Sequence, residues 1–358
     1  MNITYILGNG FDIQLGLKSR YSDFLAEYVK PKDGDSENVR AFREYLKERP
    51  NCKWWSDVEK AMGEDLGRFS NETIGNYTEQ MMSLERELFD YLKEEQDKCS
   101  WERIPEINNT FVKFLRASFS GMFNNTKIDM WPKNNQFRFI SLNYTNTIEM
   151  IIKCCKNNKG DTIFQETKGR DTYRDTLGEV CHVHGDLESQ IIMGVNDESQ
   201  LTIGSDLTLT DELRWQLIKG DMSTAANMNR EIKAKQLISD STIIALYGVS
   251  YGETDARWWN EIITWLKGDG FRKVVAFVYE ENMTFDARAA WEAPIYEKRK
   301  KEEILRKLGI NDESFFEKLK PQQPQLYIIQ NTKLLNLQEL IYPEKAIAAM
   351  KETDKSEV

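Results

Sequence analysis

The chain contains only two histidines, His182 and His184, and both stand in the hexapeptide CHVHGD at residues 181–186. In an extended segment residues two apart share a face, so the two imidazoles are expected to look the same way. A metal pair is not completed, because the sequence offers no third histidine and no thiolate cluster to close a coordination shell. A single base beside a tight glycine turn suits His184, which Gly185 follows, since imidazole exchanges protons near neutral pH. A plainer alternative stays open here: one histidine packed against a sheet and the other placed in a turn.

Three more polar clusters follow apolar runs. Gly8-Asn9-Gly10-Phe11-Asp12 follows residues 3–7, Asn143-Tyr144-Thr145-Asn146 follows FRFISL, and Gly248 to Asp255 follows STIIALY. The opening glycines let the backbone turn sharply and approach a ligand. When such a turn feeds a helix, its N–H groups and the helix start form an anion site, which predicts a nucleotide diphosphate. Singly, each cluster is ordinary turn chemistry. Asn143 and Asp12 are also candidate helix caps, and Ser250 and Asp255 candidate loop or cap residues. Their joint position after apolar runs is the stronger argument, because it brings four distant segments to one rim.

The elements that must position them read as an α/β protein. Strands are expected at residues 3–7, 137–142, 180–183, 191–195, 241–247, 273–279 and 325–330. The runs STIIALY and KVVAFVY are apolar throughout, as strands covered on both faces tend to be. Helical spacing covers residues 19–29, a helix capped by Ser36 that Pro50 ends, the stretch 54–123 with breaks near Asn71, Asn76 and Pro105, and 255–266. The Trp258-Trp259 pair and Trp54-Trp55 read as packing residues. The pattern predicts a doubly wound, mostly parallel sheet with a large α-helical insertion, in which ligands gather beyond the strands' carboxyl ends. The expected division is a nucleotide-binding domain from 1–30 and 135–350, with the helical insertion at 31–134. A frayed tail is expected at 351–358.

Composition restricts the setting. The 358 residues carry a formal charge of −10, so the surface should repel nucleic acid, and no run of Lys and Arg interleaved with aromatics offsets this. The cysteines are five, an odd number without a CxxC pair, which argues against a disulfide framework and a zinc ribbon. The chain opens directly on its first strand and has no apolar run of membrane length, so a cytoplasmic, soluble protein without a membrane partner is expected.

GNGFDIQLGLKSRYSDF, SLNYTNTIE, HVHG and YGVSYGETD together resemble the AbiH family of bacterial phage abortive-infection proteins. That family is similar to the sirtuin-like NAD-binding superfamily: Gly8-x-Gly10-x5-Gly16-Leu17 resembles its opening loop, Asn143 its Asn motif, His184-Gly185 its catalytic His-Gly, and Gly248-x-Ser250 its nucleotide contact. The match runs from residue 1 to about 260, with a poorly matching helical stretch between motifs. Departures are informative. The deacylases' zinc module is missing, Asp12 stands in the place of a serine, and Ile13 stands where a GxGxxG loop has its last glycine. An acyl-lysine substrate is therefore not expected, and NAD is expected as substrate without a metal.

The resemblance implies hydrolysis of the nicotinamide–ribose bond through an oxocarbenium-like transition state. Under it, amides of Gly8, Asn9, Gly10 and Phe11 bind the pyrophosphate, and Asn143 orients the water or the ribose. His184 is the general base, and Asp12 stabilises developing positive charge or holds the ribose. Tyr144, Gly185, Gly248, Ser250 and Asp255 contact the nucleotide. Two rivals stay in view: a non-catalytic NAD or ADP-ribose sensor, and a nuclease-type toxin. A toxic hydrolase also needs restraint, by homo-oligomerisation, an occluded site or a phage-derived trigger.

Overall fold

Asn2–Leu7 forms β1, and its side chains divide by parity: Ile3, Tyr5 and Leu7 enter one apolar core and Ile6 the other. Both sides are apolar because both are covered by helices. The computed structural model describes the chain except for residues 51, 56, 125–133, 157–159, 227–228, 281–290, 311–324, 331–334 and 343–358. The tail at 351–358, expected to fray, thus lies outside the described residues.

After β1 come α1 (Gly10–Leu15), α2 (Tyr21–Tyr28), α3 (Glu37–Lys47), α4 (Val58–Asp65), α5 (Ile74–Asp97) and α6 (Ile104–Asn124), then β2 (Asn134–Ser141). α7 (Thr147–Cys155), β3 (Thr162–Lys168) and β4 (Asp171–His182) follow, and then α8 (Asp211–Leu217), α9 (Lys219–Ala225) and α10 (Arg230–Ser239). The chain continues through β5 (Ile243–Tyr247), α11 (Ala256–Gly268), β6 (Lys273–Val278), α12 (Glu292–Lys307), β7 (Leu326–Gln330) and α13 (Gln338–Ile341). Ser36 caps α3 by accepting from the Val39 amide, which satisfies one of the free N–H groups of a helix start.

The strands form one seven-stranded sheet in the order β3-β4-β2-β1-β5-β6-β7. All neighbours are parallel except β3, which pairs antiparallel with β4. One face is covered by α1, α6, α7 and α13, the other by α10, α11 and α12. From β1 the chain winds to β2 on one flank, whereas β5, on the other flank, leads away to β6. The winding reverses between β1 and β5, and at such a point the loops beyond the strand ends part to leave a crevice.

A third core joins α2, α3, α4 and α5 to Leu187, Met193, Val195, Leu213 and Leu217. Tyr144, which follows β2, belongs to it as well, so this helical group sits over the strands' carboxyl ends. α6 contributes Ile107, Phe111, Phe114 and Leu115 to the core beneath the sheet, so the 31–134 segment is tied to the sheet by its last helix.

Three details differ from the sequence reading. Residues 191–195 are not a strand: Ile192, Met193 and Val195 are buried, but only Val195 makes a bridge, to Ile218. β4 starts at Asp171, well before residue 180, and pairs with the unanticipated β3, whose side chains are largely exposed and carry little apolar signal. Asn76 breaks nothing and lies inside α5, whereas the expected breaks near Asn71 and Pro105 are present; Pro105 occupies the second position of α6, where its missing N–H costs no helical bond. Among the described residues no helix is long and apolar enough to cross a membrane.

Candidate functional site

A cavity of about 600 Å³ opens at the crevice between β1 and β5. Its floor is made by strand-end loops: Gly8, Asn9 and Gly10 after β1, Asn143 and Tyr144 after β2, His184 after β4, and Gly248 and Ser250 after β5. Its other wall comes from the helical group, with Arg20, Tyr21, Trp55, Asp57 and Glu59. Asp255 and Trp259 complete it at the start of α11. The volume falls in the range of small-molecule sites, roughly 300–1,000 Å³.

The glycines are explained first by one another. A Cβ on Gly8 would meet the Gly248 carbonyl oxygen at 2.6 Å, and one on Gly10 would meet Gly248 Cα at 2.6 Å. Gly248 itself has φ +67, and a Cβ there would lie 2.4 Å from the Phe11 nitrogen. Two backbone loops thus interlock without side chains between them. This corrects the expected amide cradle at Gly8, Gly10 and Phe11. The Gly8 amide donates to the Tyr247 carbonyl, Gly10 to that of Gly248 and Phe11 to that of Gly8, at 2.9–3.0 Å. Those N–H groups are engaged before any ligand arrives, and α1 spans only six residues, too short to lend much dipole. The Phe11 side chain is in the core and does not line the cavity.

Asn143 is held on three sides. Its Nδ2 donates to the Gly8 carbonyl at 3.1 Å, its amide donates to Ser141 Oγ at 3.2 Å, and its carbonyl accepts from His182 Nδ1 at 2.9 Å. Oδ1 enters no hydrogen bond among the described residues. Asn143 caps no helix; α7 begins only at Thr147. Asp12 is a correction too. It is the third residue of α1, neither its cap nor a lining residue of the cavity. Its carboxylate accepts from Thr145 at 2.6 Å and Thr147 at 2.7 Å, tying α1 to the loop that carries Asn143. Burial pushes its pKa up to about 6, against the pull of those two hydroxyls.

The histidines have separate duties. His182 is clamped between Asn143 and Glu149, away from the cavity lining. His184 lines the cavity, and its Nε2 lies 2.8 Å from Asp255 Oδ1. With Nε2 facing a carboxylate, Nδ1 is the basic nitrogen, and it enters no hydrogen bond among the described residues. Gly185, with φ +80, has the Gln190 carbonyl oxygen 2.1 Å from the site of a Cβ, so it shapes the turn and does not line the cavity.

Asp255 Oδ1 also accepts from Lys219 Nζ at 3.1 Å, and Lys219 donates to Glu59 Oε2 at 2.8 Å. The Tyr144 hydroxyl is shared between Glu59 Oε1 at 3.3 Å and the Ile192 carbonyl at 3.2 Å, and Tyr21 hydrogen-bonds Tyr144. Burial opposes the Lys219 charge, but the carboxylates of Asp255 and Glu59 hold its pKa above the ordinary lysine value. Burial likewise works against the Asp255 carboxylate, yet Lys219 and His184 keep its pKa well below the usual range. Burial, with Glu59 adding to it, raises both phenols far above the ordinary tyrosine value, so they stay donors. No grouping of His, Cys, Asp and Glu able to hold a metal occurs among the described residues.

The family model for bacteriophage abortive infection AbiH matches residues 4–277, well over half of the 358. The chain belongs to the AbiH family. Its role is therefore in bacteriophage abortive infection, an antiviral defence. No curated protein matches the chain.

In this AbiH-family chain the cavity gathers Gly8, Asn9, Gly10, Asn143, Tyr144, His184, Gly248, Ser250 and Asp255 from the residues singled out in the sequence. It excludes Asp12, Phe11 and Gly185. Asp255, expected against the nucleotide, is instead the partner of His184. Sequence reasoning missed Glu59, Lys219, Tyr21 and Arg20. They sit singly among other charged and aromatic residues on helices or at helix starts, with no turn motif to mark them. Trp55 and Trp259, read as packing, both line the cavity.

Proposed function

We propose that the protein is an NAD glycohydrolase that cleaves the nicotinamide–ribose bond in this cavity. The observation that carries the reading is the convergence of the His184–Asp255 pair and Asn143 on the crevice where the sheet's winding reverses. The likeness of the same four motifs to sirtuin-like NAD sites supports the choice of substrate.

The nicotinamide nitrogen is already cationic, so the leaving group needs no strong acid. The glycosidic bond breaks with its electron pair going to that nitrogen, and charge develops on the ribose as an oxocarbenium ion. Water then bonds to the anomeric carbon, and its proton passes to His184 Nδ1. Products are nicotinamide, ADP-ribose and one proton. Asp255 fixes the imidazole's orientation and tautomer, as carboxylates do for catalytic histidines. Asn143 Oδ1, without a hydrogen-bond partner among the described residues, is the acceptor that aims the water or a ribose hydroxyl.

The electrostatics favour this charge pattern. His184 aside, Asp255, Glu59 and Asp57 against Lys219 and Arg20 leave one negative charge in excess. Such a surface stabilises a cation that forms in the transition state. With the amides of Gly8, Gly10 and Phe11 engaged, the phosphates need a further donor. Arg20 lines the cavity and enters no ion pair among the described residues, so we assign it the pyrophosphate.

The test is nicotinamide release by the parent beside His184→Ala and Asn143→Ala, with folding checked by circular dichroism. A fall of about 100-fold or more in each folded variant supports the reading, in line with the loss of a general base or a positioning group. Undiminished release in both overturns it.

A further inference from the structure

Lys219 is 3% exposed and lies deep beside the cavity without lining it, and among the described residues its ammonium is bonded only to carboxylates and to a carbonyl. Its ammonium and the His184 imidazole share one oxygen, Asp255 Oδ1. On its other side it reaches Glu59, which α4 supplies from the helical group. We propose that Lys219 is a positioning residue that shares Asp255 with the His184 base and couples that base to the helical wall through Glu59. The proposal rests on the catalytic reading of His184, but its physical core is a charge balance that holds without any substrate.

Buried charges persist only when paired. Asp255 and Glu59 are both buried or nearly so, and Lys219 is the cation between them. Without that cation the nearest group able to neutralise Asp255 is His184, which would take up a proton and cease to be a base. The remaining charged groups across the cavity are Asp57 and Arg20. Arg230, bonded to Gln190 and Ser189, stands behind the Gly185 turn. The phenols of Tyr144 and Tyr21 donate and carry no charge.

The wiring has a second consequence. Glu59 is held by the Tyr144 hydroxyl as well as by Lys219. A shift of α4 against the strand ends would draw Glu59 away from Lys219 and leave the ammonium to Asp255 alone. The state of the helical wall thus reaches the base through one carboxylate and one ammonium.

Only two histidines exist in the chain, so imidazole signals in a heteronuclear NMR titration are readily assigned, with His184→Ala as reference. In Lys219→Met the His184 titration should move to higher pH by about one unit or more, as expected on losing a neighbouring cation. In Glu59→Gln it should move the opposite way. The acidic limb of NAD turnover should follow each shift in parallel. Loss of packing alone would not send the two variants in opposite directions. Equal or same-direction shifts, or none, overturn the proposal. Should Lys219→Met not fold, the downward shift in Glu59→Gln decides alone. Absence of nicotinamide release by the parent defeats the NAD reading and leaves the titration to judge this one.

Discussion

His182 Nδ1 donates to the main-chain carbonyl of Asn143 across 2.9 Å, so one histidine of the pair holds in place the asparagine that faces the cavity. Its Nε2 lies 2.8 Å from Glu149 Oε1. A carbonyl and a carboxylate both only accept, so both ring nitrogens carry hydrogen and the ring is an imidazolium. Burial works against that charge, but the hydrogen bond and charge of Glu149 hold the pKa above the ordinary histidine value.

The sign of the pH effect follows. A group whose pKa is raised on folding contributes stability fully below its unfolded value and loses it as pH rises through the folded value. The parent's stability advantage over His182→Gln in urea should therefore shrink as pH rises from the ordinary histidine range through the raised folded value. A difference independent of pH would contradict the imidazolium.

Gly248 should tolerate no side chain. Alanine would take a φ of +67 and place a Cβ 2.4 Å from the Phe11 nitrogen, against backbone that cannot rotate away. Left-handed strain and overpacking together should cost about 3 kcal/mol or more. Chemical denaturation of Gly248→Ala measures this, and a loss below about 1 kcal/mol would show that the two loops are not interlocked as described.

Asp12 gives a second pH signature, independent of catalysis. Its pKa is raised to about 6 by burial. The protonated form is favoured in the folded state, so stability is fully present below the unfolded value and falls as pH rises through about 6. Asp12→Asn has no such titration, and its stability relative to the parent should grow between about pH 4 and about pH 7, by about 3 kcal/mol. No change in the relative stability would place the carboxyl in a more polar setting than its two threonine contacts indicate.

The sequence disclosed the parts of the fold in which burial and backbone chemistry agree. STIIALY and KVVAFVY became central strands because an apolar, β-branched run covered on both faces has few other uses. The β3–β4 hairpin stayed hidden because one side of it meets solvent and its residues are mostly polar. IIMGV misled for the converse reason: burial beneath the helical group gives the same apolar run without a strand partner.

The site was legible to the same extent. His184, Asn143 and Gly248 follow strands in motifs of turn residues and are visible as such. Whether a carboxylate such as Asp255 faces a ligand or a histidine is decided by packing, and its sequence context is equal for both. Lys219 and Glu59 meet across 160 positions of chain, a pairing that no local pattern announces.

The most direct test of the account is the fate of NAD incubated with the purified chain, followed by chromatography of both products. Nicotinamide and ADP-ribose appearing in equal amounts, and falling together in His184→Ala, is the predicted result. Saturable NAD binding with the dinucleotide recovered intact would contradict it and make the cavity a sensor.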